Sequence, residues 1–144
     1  MEKSVLFIGK NHNTYRAQLN SSRISTLGSS ELGSALNLIR STESIKEKIR
    51  LVFLELNDPY PYGFFDNNVR KNLPNAGFLF FGIDKTQILE ILKSLHSRKI
   101  PEEIYGARTS VTPWIIKETI DWSFEFQSHG EAKFAMNDVW NLNP

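Results

Sequence analysis

Two short stretches hold the residues whose types could do chemistry: Gly9-Lys10-Asn11-His12-Asn13-Thr14, and Glu55-Leu56-Asn57-Asp58 at the end of an apolar run. Paired carboxylates offer oxygen ligands, but magnesium needs several such oxygens in octahedral geometry. Only Glu55 and Asp58 are available, with Lys10 as a competing cation, so no metal is expected. The first stretch has one glycine and neither a G-x-G-x-x-G nor a P-loop. It therefore lacks the succession of backbone N–H groups that cradles a phosphate, and no nucleotide or flavin cofactor is expected. His12, His96 and His129 stand far apart, and none shows the H-E-x-x-H spacing of a helical metal motif. The chain has no cysteine, which excludes thiolate catalysis, cysteine zinc sites and disulfides. Ser29, Ser30 and Ser34 form a polar cluster, but helix capping accounts for Ser30 and no Ser-His-Asp arrangement is suggested.

Composition narrows the classes further. The 144 residues carry 17 Lys+Arg against 16 Asp+Glu, so the chain lacks the basic surplus that phosphate neutralisation demands and nucleic acid is not an expected partner. One domain of this size buries roughly two-thirds of its unfolded surface and needs no staple. Apolar runs such as Val5–Ile8 and Phe78–Phe81 are four residues long, far short of the roughly 20 that cross a bilayer. No membrane partner is expected. Met1-Glu-Lys-Ser leads straight into an apolar run without a leader-like stretch, so a soluble, cytoplasmic protein is the expectation. Aromatics make up 12%, including ten Phe, enough for an aromatic-rich core with some surface left for a partner.

The elements that must position these residues alternate between short apolar runs and segments of helical period. Strands are predicted at Val5–Ile8, Ile24–Leu27, Leu51–Leu56, Ala76–Ile83 and Glu103–Ala107. Between them, helices are predicted over Asn11–Ser21, from an N-cap at Ser30 to Ile39, over Phe64–Leu73, and from Thr86 to Ile100. Leu32, Ala35, Leu36 and Ile39 fall at i, i+3, i+4 and i+7, the stripe of a helix packed on a core. Thr112-Pro113 opens a final helix through Trp114 to about Phe126. Five parallel strands with right-handed crossovers pack best as a flavodoxin-like three-layer αβα sandwich with a five-stranded parallel sheet of order 2-1-3-4-5. Its crevice lies beyond the carboxyl ends of the first and third strands, where Gly9, Lys10, Asn11 and Glu55 to Asp58 would meet.

At this point the sequence resembles the response-regulator receiver domain over roughly residues 3–126. The most specific stretch is Leu51-Val-Phe-Leu-Glu-Leu-Asn-Asp-Pro-Tyr-Pro-Tyr-Gly63. Receivers place the phosphorylated aspartate at the end of the third strand, a proline four positions later and a glycine four beyond that. Glu55, Pro59 and Gly63 reproduce this spacing. Leu73-Pro74 before the fourth strand also fits. The family's lysine, three residues after an aromatic rotameric switch, is matched by Arg108 after Tyr105.

The departures all remove phosphoryl chemistry. The acceptor position holds Glu55, whose carboxylate sits one methylene further out than that of aspartate. Gly9-Lys10 replaces the acidic pair that holds magnesium, and Gly82 replaces the hydroxyl residue that binds the phosphoryl group. The resemblance thus implies a degenerate member, a pseudo-receiver. It would be a non-enzymatic, phosphorylation-independent signalling and protein-interaction module, with Gly9, Lys10, Asn57, Asp58, Gly82 and Arg108 lining the crevice around Glu55. Lys10 and Arg108 would bring two cations to Glu55, an ion-paired, metal-free site in which Glu55 mimics a permanently modified acceptor. Such a pair, if exposed, contributes only about 0–1 kcal/mol.

Two alternatives stand beside this reading: an active atypical receiver phosphorylated at Asp58 or around Glu55, and a small flavodoxin-like ligand-binding protein. The expected partners are other signalling proteins, with Tyr60, Tyr62 and Trp114 as interaction residues. A homodimer is also expected, through the face formed by the 86–100 helix, the 103–107 strand and the 112–126 helix, as receivers often form. Residues 127–144, with Phe134, Met136 and Trp140, extend past the receiver-like domain of residues 1–126.

Overall fold

Ser4-Val-Leu-Phe-Ile8 has no polar alternation, as befits a strand covered on both faces, and it forms β1 (Ser4–Ile8) with every residue buried. The structure, a computed structural model, describes residues 4–17, 25–41, 43–55, 68–73, 76–81, 86, 89–90, 93–94 and 97, and the backbone of 105–108. Within these, β1 is followed by α1 (His12–Ala17), β2 (Ser25–Ser29), α2 (Leu32–Ser41), α3 (Glu43–Lys48), β3 (Ile49–Glu55), a 3-10 turn (Arg70–Asn72), β4 (Gly77–Phe81) and β5 (Tyr105–Arg108). The fold is α/β with a parallel sheet in which β2, β1, β3 and β4 lie in that order. The backbone of β5 continues it beyond β4, pairing Phe78 with Tyr105 and Phe81 with Arg108.

Side-chain alternation divides the core between the two faces of the sheet. Leu6 and Ile8 of β1, Val52 and Leu54 of β3, and Phe78 and Phe80 of β4 share one cluster with Leu32, Ala35 and Ile39 of α2, joined by Val69, Leu73 and Ala76. The other face is aromatic: Phe7 stacks on Phe53 with ring centroids 4.8 Å apart, and Tyr15 of α1 lies 6.3 Å from Phe7 and edge-on to Phe81 at 5.3 Å. α1 and α2 thus cover opposite faces.

The predicted stripe of α2 is buried as expected, at Leu32, Ala35, Leu36 and Ile39. Its start differs. The helix begins at Leu32, so Ser30 lies one residue outside the cap and Glu31 takes that place, its carbonyl accepting the Ala35 N–H at 3.0 Å and the Ser29 hydroxyl at 2.9 Å. Helix α3 was not expected, because Glu43-Ser-Ile-Lys-Glu-Lys48 offers only Ile45 to a core and so has no apolar stripe. It feeds directly into β3, which starts two residues before the predicted Leu51. Strand β2 does not stop before Gly28 but runs through it to Ser29. Glycine is needed there for room: a Cβ at Gly28 would come within 2.2 Å of His12 Nδ1 and 2.8 Å of Arg16 Cδ.

Thr86, Leu89, Glu90, Lys93, Ser94 and Ser97 have helical backbone within the 86–100 span, and Leu89 packs on the core. The expectations for Asn57 to Phe65, Gly82, the 112–126 helix with Trp114, and residues 127–144 lie outside the described residues.

Candidate functional site

The order of the sheet reverses between β1 and β3: the chain leaves β1 for β2 on one side and returns to β3 on the other. A crevice opens at the carboxyl ends of strands flanking such a point. Ile8 pairs with Leu54, and Glu55 with Phe81, so Gly9, Glu55 and Phe81 stand at one level across the sheet, on the face that α1 covers.

Gly9 makes the approach possible. Its N–H donates to the Ser29 carbonyl at 2.8 Å, tying the exit of β1 to the end of β2. Its φ of 149° lies in the range that favours glycine, and a Cβ there would stand 2.4 Å from Glu55 Cβ and 2.6 Å from Glu55 Oε1. The space of the missing side chain is occupied by Glu55.

The carboxylate so admitted turns onto Asn11. The Asn11 N–H donates to Oε1 at 3.1 Å and the Asn11 side-chain amide donates to Oε2 at 2.8 Å, so both carboxylate oxygens accept from one residue. Asn11 also begins α1, its carbonyl accepting from Thr14 N–H at 3.0 Å and Tyr15 N–H at 3.3 Å. One turn on, the half-buried Tyr15 approaches the same carboxylate. Burial first, then the negative charge of Glu55 and a side-chain hydrogen bond to it, push the Tyr15 phenol above its ordinary value of 10.0.

The expected ion pair with Lys10 does not form. Lys10 is exposed and makes no ion pair with Glu55, because the Gly9 turn sends the next side chain outward and brings Asn11 onto the carboxylate instead. Arg108 falls, by backbone register, one strand beyond Phe81 at the level of Glu55, and Tyr105 pairs with Phe78 at the start of β5. Asn57, Asp58, Tyr60, Tyr62, Gly82 and Trp114 lie outside the described residues.

The sequence places Asn11 at the crevice without giving it a role, and marks Tyr15 only as one residue within the predicted 11–21 helix. The available signal was their spacing: four residues apart, both fall on the helix face that looks toward the end of β3.

The rest of α1 is fastened to β2. Arg16 donates from Nη2 to the Thr26 carbonyl at 3.3 Å and from Nε to Thr26 Oγ1 at 3.4 Å, while His12 lies over Gly28 with Nδ1 buried and unpartnered. Among the described residues no group of three His, Cys, Asp or Glu could hold a metal ion. The chemistry this arrangement supports is retention: a carboxylate whose two oxygens are already bonded ties the exit of β3 to the start of α1. Set against protein-family models, curated proteins and solved structures, the chain matches none.

Proposed function

We propose that the chain is a degenerate receiver-like domain, a flavodoxin-like three-layer αβα sandwich on a five-stranded sheet. It acts in the cytoplasm as a phosphorylation-independent signalling and protein-interaction module without catalytic activity. The observation that carries this reading is the bonding of both Glu55 oxygens to Asn11 at the switch point. In a receiver the carboxylate at this place must present an oxygen to an incoming phosphoryl group with a cation beside it. Here the carboxylate is turned back into its own fold, and the position that would supply an acidic ligand is Gly9, whose missing side chain makes room for that turn. The partners of such a module are other signalling proteins. Tyr60, Tyr62 and Trp114 are the interaction residues, and a second copy would dock through the face around the 86–100 helix and β5.

The test is incubation of the full chain with Mg²⁺ and a small acyl-phosphate donor, followed by intact-mass measurement and peptide mapping. An unchanged mass is expected. A stable phosphoryl group mapped to Asp58 or Glu55 would overturn the proposal in favour of an active atypical receiver. A nucleotide or chromophore that co-purifies in stoichiometric amount would overturn it in favour of a ligand-binding protein.

A further inference from the structure

The described residues of α1, His12–Ala17, include none that is fully buried. Helical stability in a folded chain comes mainly from tertiary contacts, so this stretch is held by what it touches on the sheet. At its start the hold is Glu55, which accepts from the Asn11 backbone and side chain and draws in the Tyr15 phenol one turn later. At its far end the hold is Arg16 on Thr26 at the edge of the sheet, through bonds of 3.3 and 3.4 Å. The strands beneath have a hold of their own: β1 is hydrogen-bonded between β2 and β3, β3 between β1 and β4, and Leu6, Ile8, Val52 and Leu54 are packed by α2 on the face away from α1.

We infer that α1 is a detachable strap latched by Glu55: the carboxylate fixes the start of the helix against the sheet, and losing it frees the helix as a unit while the sheet stays intact. Release would lift the Tyr15 ring off Phe7 and Phe81, so this one carboxylate controls whether that aromatic surface is presented at the crevice. The inference names the regulation of the site described above, and rests on the signalling reading only for what release would convey.

Amide hydrogen exchange on the full chain, read residue by residue, tests it. Glu55→Ala removes both Asn11 hydrogen bonds and is expected to speed exchange at Asn11, Thr14 and Tyr15 about tenfold while Val52 to Leu54 keep their rates. Asn11→Ala should do the same at Thr14 and Tyr15. The double variant should be no faster than the faster single one, because each breaks the same latch. Should Glu55→Ala fail to fold, Glu55→Gln keeps the shape and is expected to give a smaller rise confined to α1.

Unchanged α1 rates, rates that rise in step with those of β3, or single effects that add would each overturn the strap. The phosphorylation assay reads a different quantity. A phosphoryl adduct would overturn the functional reading and leave the exchange pattern standing, whereas an exchange pattern without a latch would sink the strap and leave that reading standing.

Discussion

Helices α1 and α2 cover opposite faces of one sheet and are held there by different forces. α2 spans ten residues and buries Leu32, Ala35, Leu36 and Ile39, none more than 6% exposed. Full burial of such side chains contributes about 1.5–3 kcal/mol for each large one, a non-directional hold that no single polar group can undo. The described residues of α1 include none fully buried, and they are tied by Asn11 to Glu55, by Arg16 to Thr26 and by the ring of Tyr15. The first hold is distributed and fixes the scaffold. The second is concentrated in a few directional contacts at the crevice, the kind of element from which local opening is drawn. The contrast places the changeable part of the molecule at the carboxyl end of β1 and β3.

The largest effect that could break this comparison lies on the α2 side. Ile39→Ala removes a fully buried side chain and is expected to cost about 2–5 kcal/mol, read as a lower midpoint of urea denaturation with exchange speeding over the whole sheet. A cost under about 1 kcal/mol would mean that α2 is held no more firmly than α1 and would remove the contrast.

Next in size is a pair of glycine substitutions. Gly9→Ala combines an unfavourable φ of 149° with a Cβ at 2.4 Å from Glu55 Cβ, and should destabilise by about 1–3 kcal/mol while expelling Glu55 and exposing the Asn11 amide to exchange. Gly33→Ala, on the exposed side of α2, meets only Glu31 Oε1 at 3.9 Å and should stabilise by about 0.5–1 kcal/mol. Equal signs for the two would show that the Gly9 turn does not depend on its missing side chain.

The sequence was most readable where burial is periodic and least where it is not. The α2 stripe, the apolar runs of β1 and β3 and the parallel order of the first four strands follow from 3.6-residue spacing, unbroken apolar segments and right-handed crossovers. Gly28 misled because glycine ends strands more often than it fills them, and only the His12 and Arg16 side chains lying over β2 explain its place inside. Helix α3 gave no signal, since one isoleucine among charges has no period. At the crevice, the position of Glu55 was legible from the strand-to-turn transition. Its partner was not: the cation at Lys10 drew attention on charge, whereas the backbone turn at Gly9 decides which of the residues after β1 faces inward, and it selects the neutral Asn11.

The smallest expected effect probes the last strand of the α1 attachment, the phenol of Tyr15. Burial and the nearby Glu55 charge both disfavour the phenolate, so the folded-state value lies above that of the unfolded chain. A group raised in this way contributes stability that is fully present below its unfolded value of 10.0 and is lost as the pH climbs through the folded value. Denaturation midpoints measured from pH 8 to pH 11.5 should therefore fall more steeply at the alkaline end for the wild type than for Tyr15→Phe, with the two curves parallel on the neutral side. Glu55→Ala should lie between them, because it removes the charge and the acceptor but leaves the burial. Coincident curves for wild type and Tyr15→Phe would place the phenol outside the field of Glu55. The helix would then be tied at its start by the two Asn11 hydrogen bonds rather than by a three-residue latch, with Arg16 on Thr26 as its other polar hold.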